Sequence, residues 1–98
     1  MKLKYIYRTF EEPHLNLENR SVLVTGGTGS FGQAFVNRVL DSYRLRRLVV
    51  FSRDEFKQSE MAAKYPNHKY PLLRFFIGDV RDRSRLEMAM RDIDIVIH

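Results

Sequence analysis

Cysteine is absent from the chain, which excludes a disulfide framework, thiolate catalysis and thiolate metal ligation. Histidine is sparse: His14, His68 and His98 are scattered, read as surface or loop residues, and lead to no expected metal site. No apolar run reaches the length of a membrane span, so no transmembrane segment is expected. Met1 to Phe10 alternate aromatics with Lys2, Lys4 and Arg8 and lack the apolar core and cleavage site of a secretory signal, which makes a cytoplasmic location the default expectation. Charge of one sign is not concentrated either. The net charge is +5, but the basic residues are interspersed, without the strip of cations and aromatics that would point to nucleic acid, and no nucleic-acid partner is expected.

What is present fits one compact α/β domain. Ninety-eight residues leave room for a single core, and 44% hydrophobic with 30% charged residues is the balance of a folded protein. Residues 1–20 carry no sustained period and read as an N-terminal extension of unassigned conformation, with a turn or an edge at Glu11-Glu12-Pro13-His14. From Ser21 the pattern changes. Val22-Leu23-Val24 forms a short apolar strand, and Phe31, Phe35, Val36, Val39 and Leu40 recur at helical spacing to about residue 43. Leu48 to Phe51 is a second strand. The S-x-x-E spacing of Ser52 and Glu55 predicts a capping box and a helix over about 53–64, followed by a loop framed by Pro66 and Pro71. Leu72 to Ile77 is a third strand. Asp82 is placed to cap a third helix with Leu86, Ala89 and Met90 toward the sheet, and Ile93 to Ile97 is a fourth strand. Apolar strands alternating with helices predict the N-terminal part of a Rossmann-type doubly wound parallel sheet over residues 21–98. No helix follows the fourth strand to cover its apolar face, which leads to the expectation that the sheet is truncated at His98.

The glycine-rich segment Thr25-Gly26-Gly27-Thr28-Gly29-Ser30-Phe31-Gly32 joins the first strand to the first helix. There, glycines let the backbone approach a pyrophosphate while free N–H groups at the helix start face its charge. A nucleotide-triphosphate P-loop is the nearest rival, since four residues separate Gly27 and Gly32. Gln33 and Ala34 stand where that motif needs its lysine and its Ser or Thr, so it lacks the chemistry. Gly26, Gly29 and Gly32 give G-x-x-G-x-x-G.

This spacing resembles the extended short-chain dehydrogenase/reductase superfamily. Within it, residues 23–32, the run Phe51-Ser52-Arg53-Asp54-Glu55-Phe56-Lys57-Gln58, residues 74–82 and the closing Ile95-Val96-Ile97-His98 resemble the inverting UDP-N-acetylglucosamine 4,6-dehydratases and their capsule or flagellin-sugar relatives. The resemblance implies an NADP site in which Gly26, Gly29, Ser30, Phe31 and Gly32 surround the pyrophosphate. Ser52 and Arg53 would lie by the adenosine ribose, Asp79 would accept from the adenine amino group, and Val80 would line the adenine pocket. It also implies a nucleotide-sugar substrate and a homo-oligomer for the full-length parent.

No catalytic residue is assigned within the chain. Tyr65 and Lys69 have the formal Tyr-x-x-x-Lys spacing of that superfamily, but Pro66 interrupts the helix that would put them on one face, and the match is read as accidental. The 98-residue chain is therefore expected to bind NADP without sugar-dehydratase turnover. The alternative is a nonenzymatic dinucleotide-binding or interaction module.

Overall fold

A computed structural model describes residues 5–7 and 16–98, with side chains from residue 16 onward. The turn expected at Glu11-Glu12-Pro13-His14 lies outside the described residues. The elements are β1 (Tyr5–Tyr7), β2 (Ser21–Thr25), α1 (Ser30–Ser42), β3 (Arg47–Ser52), α2 (Glu55–Lys64), β4 (Leu73–Ile77), α3 (Arg83–Ala89) and β5 (Ile95–Ile97). All pairings are parallel and the sheet order is β1-β5-β2-β3-β4. Read from the other edge, β4-β3-β2-β5 is the first half of a Rossmann sheet, whose crossover direction reverses at β2.

The extension contributes a strand. Tyr5 pairs with Ile95 and Tyr7 with Ile97, so β1 covers the edge of β5. Farther along, Leu17 is 2% exposed and belongs to the core.

Alternation along the strands sorts the apolar side chains onto two faces. Val22 and Val24 of β2, with Leu48 and Val50 of β3, meet Phe35, Val36 and Val39 of α1 and Met61 of α2. Leu23, Val49, Phe51 and Val96 point the other way, against Ala89 and Ile93, with Leu86 and Met90 packed beside them. Each fully buried side chain of this kind contributes about 1.5–3 kcal/mol, so burial on both faces offsets the nucleation cost that leaves helices as short as α2 and α3 marginal on their own. Val96 is 6% exposed, so the expectation of a bare face on β5 is not met: α3 and the turn leading into β5 already cover it. Phe31, expected on the buried face of α1, is instead 39% exposed and stacks on Phe35 at 6.0 Å.

The capping box is corrected. Asp54 is the N-cap of α2, accepting from the Lys57 N–H at 2.9 Å, and the helix begins at Glu55. Ser52 is still the last residue of β3, where its carbonyl accepts from the Gly78 N–H at 3.0 Å, so it cannot also serve as the half-helical residue a cap must be. Asp82 caps α3 as expected, accepting from the Arg85 N–H at 3.2 Å.

Candidate functional site

The chain leaves β2 through a turn built almost wholly from main chain. Gly26 has φ +62°, the left-handed region in which a side chain is strained, and its N–H donates to the Phe51 carbonyl at 2.9 Å. The Gly29 N–H closes the turn onto the Gly26 carbonyl at 3.0 Å. Gly32 lets α1 press against this loop: a Cβ there would stand 2.4 Å from the Gly27 Cα. Gln33, the residue that rules out a P-loop, donates its amide to the Thr28 carbonyl at 2.8 Å and braces the turn. The N-cap of α1 is Gly29, without a side-chain cap or an acid in the first turn, so the positive end of the helix is left for an external anion.

A cleft of about 390 Å³ opens beside this turn at the C-terminal ends of β2, β3 and β4. Gly26, Ser52, Arg53, Asp79 and Val80 line it, as does Arg81, which the sequence reading left out. Gly29, Ser30, Phe31 and Gly32 lie on the turn and the start of α1, outside the cleft lining.

A buried polar joint holds the far wall. Ser52 is 6% exposed, and its hydroxyl oxygen lies 3.1 Å from the Thr28 hydroxyl and 3.2 Å from the Asp54 N–H. Gln58, 5% exposed, donates its amide to the Ser52 carbonyl at 3.2 Å and the Phe76 carbonyl at 3.0 Å. It thereby fastens α2 to the ends of β3 and β4. Arg85 donates twice to the Ile77 carbonyl, at 3.0 and 2.7 Å, while its guanidinium lies over the Phe76 ring. Sequence reasoning missed Thr28, Gln33, Gln58, Arg81 and Arg85. A polar residue at a buried position of a helix, as Gln58 is in α2, was the one signal available for them.

The rim of the cleft is charged. Asp79 accepts from Arg81 Nη2 at 2.8 Å and from Arg53 Nη1 at 3.5 Å. Hydrogen bonding by the Arg81 side chain, then by the Arg81 main-chain N–H, holds the Asp79 carboxyl well below the ordinary carboxylate range, and the same contact raises Arg81. Two guanidinium groups share one carboxylate, which leaves the rim net positive and suited to a phosphate. Val80, 43% exposed, adds an apolar wall. At the end of β3, the place of the acid that would repel a ribose 2′-phosphate, stand Ser52 and Arg53; the neighbouring Asp54 carboxylate is engaged as the α2 cap. Lys57 is exposed on α2.

Two other features stand apart from this cleft. Tyr65 is the C-cap of α2, 7% exposed in the core with its hydroxyl on Asn37 at 3.3 Å, and burial pushes its phenol up; Lys69 lies on the separate turn after Pro66. Thr25 and His98, at the ends of β2 and β5, are 2.7 Å apart. Among the described residues no cluster of acids and histidines could hold a metal ion, and no helix is long and apolar enough to cross a membrane.

Comparison with known proteins agrees with this geometry. The family described as "Polysaccharide biosynthesis protein" matches residues 22–98. An inverting UDP-N-acetylglucosamine 4,6-dehydratase of Campylobacter jejuni subsp. jejuni serotype O:2 is 49% identical over 79 residues, covering 81% of this chain and 23% of the relative. A UDP-glucose 4-epimerase of Rickettsia akari is 42% identical over 83 residues, covering 82% and 24%. The chain thus spans about a quarter of the length of the relatives it matches. The X-ray structure of Pen from Bacillus thuringiensis superposes with a TM-score of 0.77 at 33% identity, covering 84% of this chain and 25% of that one. With a Rossmann-type half-sheet and a glycine turn opening on its cleft, the chain belongs to the polysaccharide biosynthesis protein family and resembles the inverting UDP-N-acetylglucosamine 4,6-dehydratases.

Proposed function

We propose that residues 21–98 are the NADP-binding portion of a nucleotide-sugar 4,6-dehydratase, acting on UDP-N-acetylglucosamine in surface-polysaccharide or flagellin-glycan synthesis. The observation that carries the reading is the cleft rim, where Arg53 and Asp79 converge at the ends of β3 and β4 and β3 ends in Ser52 and Arg53 instead of an acid. The glycine turn and the uncapped start of α1 receive the pyrophosphate, Arg53 the 2′-phosphate, and Asp79 and Val80 the adenine. NADP, when bound, supplies the hydride acceptor for oxidation of the sugar at C4, which makes the C5 proton easier to remove before water is lost across C5 and C6, and returns the hydride afterward. This chain's own residues bind and orient the dinucleotide; the acid/base pair of the superfamily belongs to a later segment than these residues.

The test has two parts. Titration of the chain should show saturable binding with NADP preferred to NAD, and equal affinities would contradict the role given to Arg53. The protein carrying this chain together with the later catalytic segment should convert UDP-N-acetylglucosamine to a 4-keto-6-deoxy product, whereas the 98 residues alone should give no turnover proportional to protein. The similarity to UDP-glucose 4-epimerases favours a second reading, in which the same cofactor portion serves epimerisation. Recovery of a C4 epimer with its 6-hydroxyl retained would select it.

A further inference from the structure

Asp79 meets two guanidinium groups whose grip on it differs. Arg81 reaches both carboxylate oxygens: Nε lies 3.2 Å from Oδ1 and 3.3 Å from Oδ2, and Nη2 lies 2.8 Å from Oδ2. The main-chain N–H of Arg81 also donates to Oδ1 at 2.9 Å. Arg53 touches Oδ2 alone, at 3.5 Å, the outer limit of a hydrogen bond. A carboxylate offers about four lone-pair directions; the fork and main-chain N–H of Arg81 take about three, and the remaining direction, on Oδ2, is the one Arg53 touches weakly and frees when it turns away.

We infer that Arg81 is a positioning residue for base selection, holding the Asp79 carboxylate in one orientation so that a free lone pair meets a purine 6-amino group, while the loosely held Arg53 is the cation that turns to an incoming phosphate. The inference rests on the reading of this cleft as an adenosine site. Without the clamp, Asp79 rotates and must be ordered by the ligand itself, which weakens recognition of the amino group and leaves recognition of the phosphate intact. Arg81 is 79% exposed on its side chain, so its removal leaves the core untouched.

The experiment compares affinities of the chain, its R81A and R81K variants and its R53A variant for NADP, NAD and the hypoxanthine counterpart of NADP, in which a carbonyl replaces the 6-amino group. The wild type should prefer the adenine form, and R81A should lower that preference roughly three- to ten-fold, the worth of one oriented hydrogen bond, with the NADP/NAD ratio unchanged. R81K, a cation without the planar fork, should recover part of it. R53A should lower the NADP/NAD ratio and keep the base preference. A base preference equal in wild type and R81A overturns the inference, and so does an R81A variant that loses NADP/NAD discrimination instead, since Arg81 is then a phosphate ligand. A wild type without saturable NADP binding brings down the adenosine reading itself. A ligand-free check is a carboxyl-carbon NMR titration of Asp79: the R81A substitution should move its ionisation upward toward the ordinary carboxylate range, only partway because the main-chain N–H remains, and an unmoved titration counts against the clamp.

Discussion

Along one side of the cleft, residues 26–32 keep their shape through main-chain contacts: the left-handed Gly26, the Gly29 to Gly26 hydrogen bond, and the approach of Gly32 to Gly27. Along the other side, Ser52, Arg53, Asp79 and Arg81 are placed by side chains reaching between separate elements, through Gln58 within and the ion pairs at the surface. The first construction depends on the missing side chains of Gly26 and Gly32. In the second, the exposed ion pairs should tolerate substitution where the buried Gln58 joint does not, and on the proposed reading those ion pairs set selectivity. Damage to the turn should therefore cost folding, and damage to the rim should cost discrimination.

The largest effect is expected from Gly32→Ala. Its Cβ would fall on the Gly27 main chain, which has nowhere to move, so the cost should reach the upper end for overpacking, about 3 kcal/mol, read as a lower urea midpoint together with lost NADP binding. An unchanged midpoint would show that the turn yields. Gln58→Leu comes next. It removes the amide that joins α2 to two strand ends and should cost about 2 kcal/mol in stability while weakening nucleotide binding; full affinity in this variant would detach the buried joint from the site. Asp54→Ala should cost about 1 kcal/mol through the lost cap, with binding little changed once folding is complete. Arg53→Ala is smallest in stability, because its side chain is 71% exposed, yet it should take about 1 kcal/mol from NADP binding and almost none from NAD. A drop in thermal stability with equal loss for both cofactors would blur the division between the two sides.

The same division explains what the sequence made legible. The turn was visible because glycine spacing between an apolar strand and a helix records main-chain geometry directly, and Asp82 could be read as a cap because a short acid just ahead of a helical apolar pattern accepts from the N–H three residues on. Ser52 was misread as a cap: its S-x-x-E spacing to Glu55 is genuine, but its hydroxyl faces inward, to Thr28 and Gln58. Tyr5–Tyr7 was not recognisable as a strand because three residues gain strand conformation only by pairing with β5 at the other end of the chain. Arg81 looked like one more solvated cation. Only the fold of the loop after β4 turns it back onto Asp79.

The most direct measurement is an amide-resolved NMR titration of the chain with adenosine 2′,5′-bisphosphate and, in parallel, with adenosine 5′-monophosphate. The bisphosphate should bind more tightly and shift the amides of Gly26, Ser52, Arg53 and residues 78–81 at saturation, with the Arg53 response weak or absent for the monophosphate. Shifts centred away from the ends of β2, β3 and β4, or equal affinity for the two nucleotides, would contradict the assignment of this cleft to a 2′-phosphorylated adenosine.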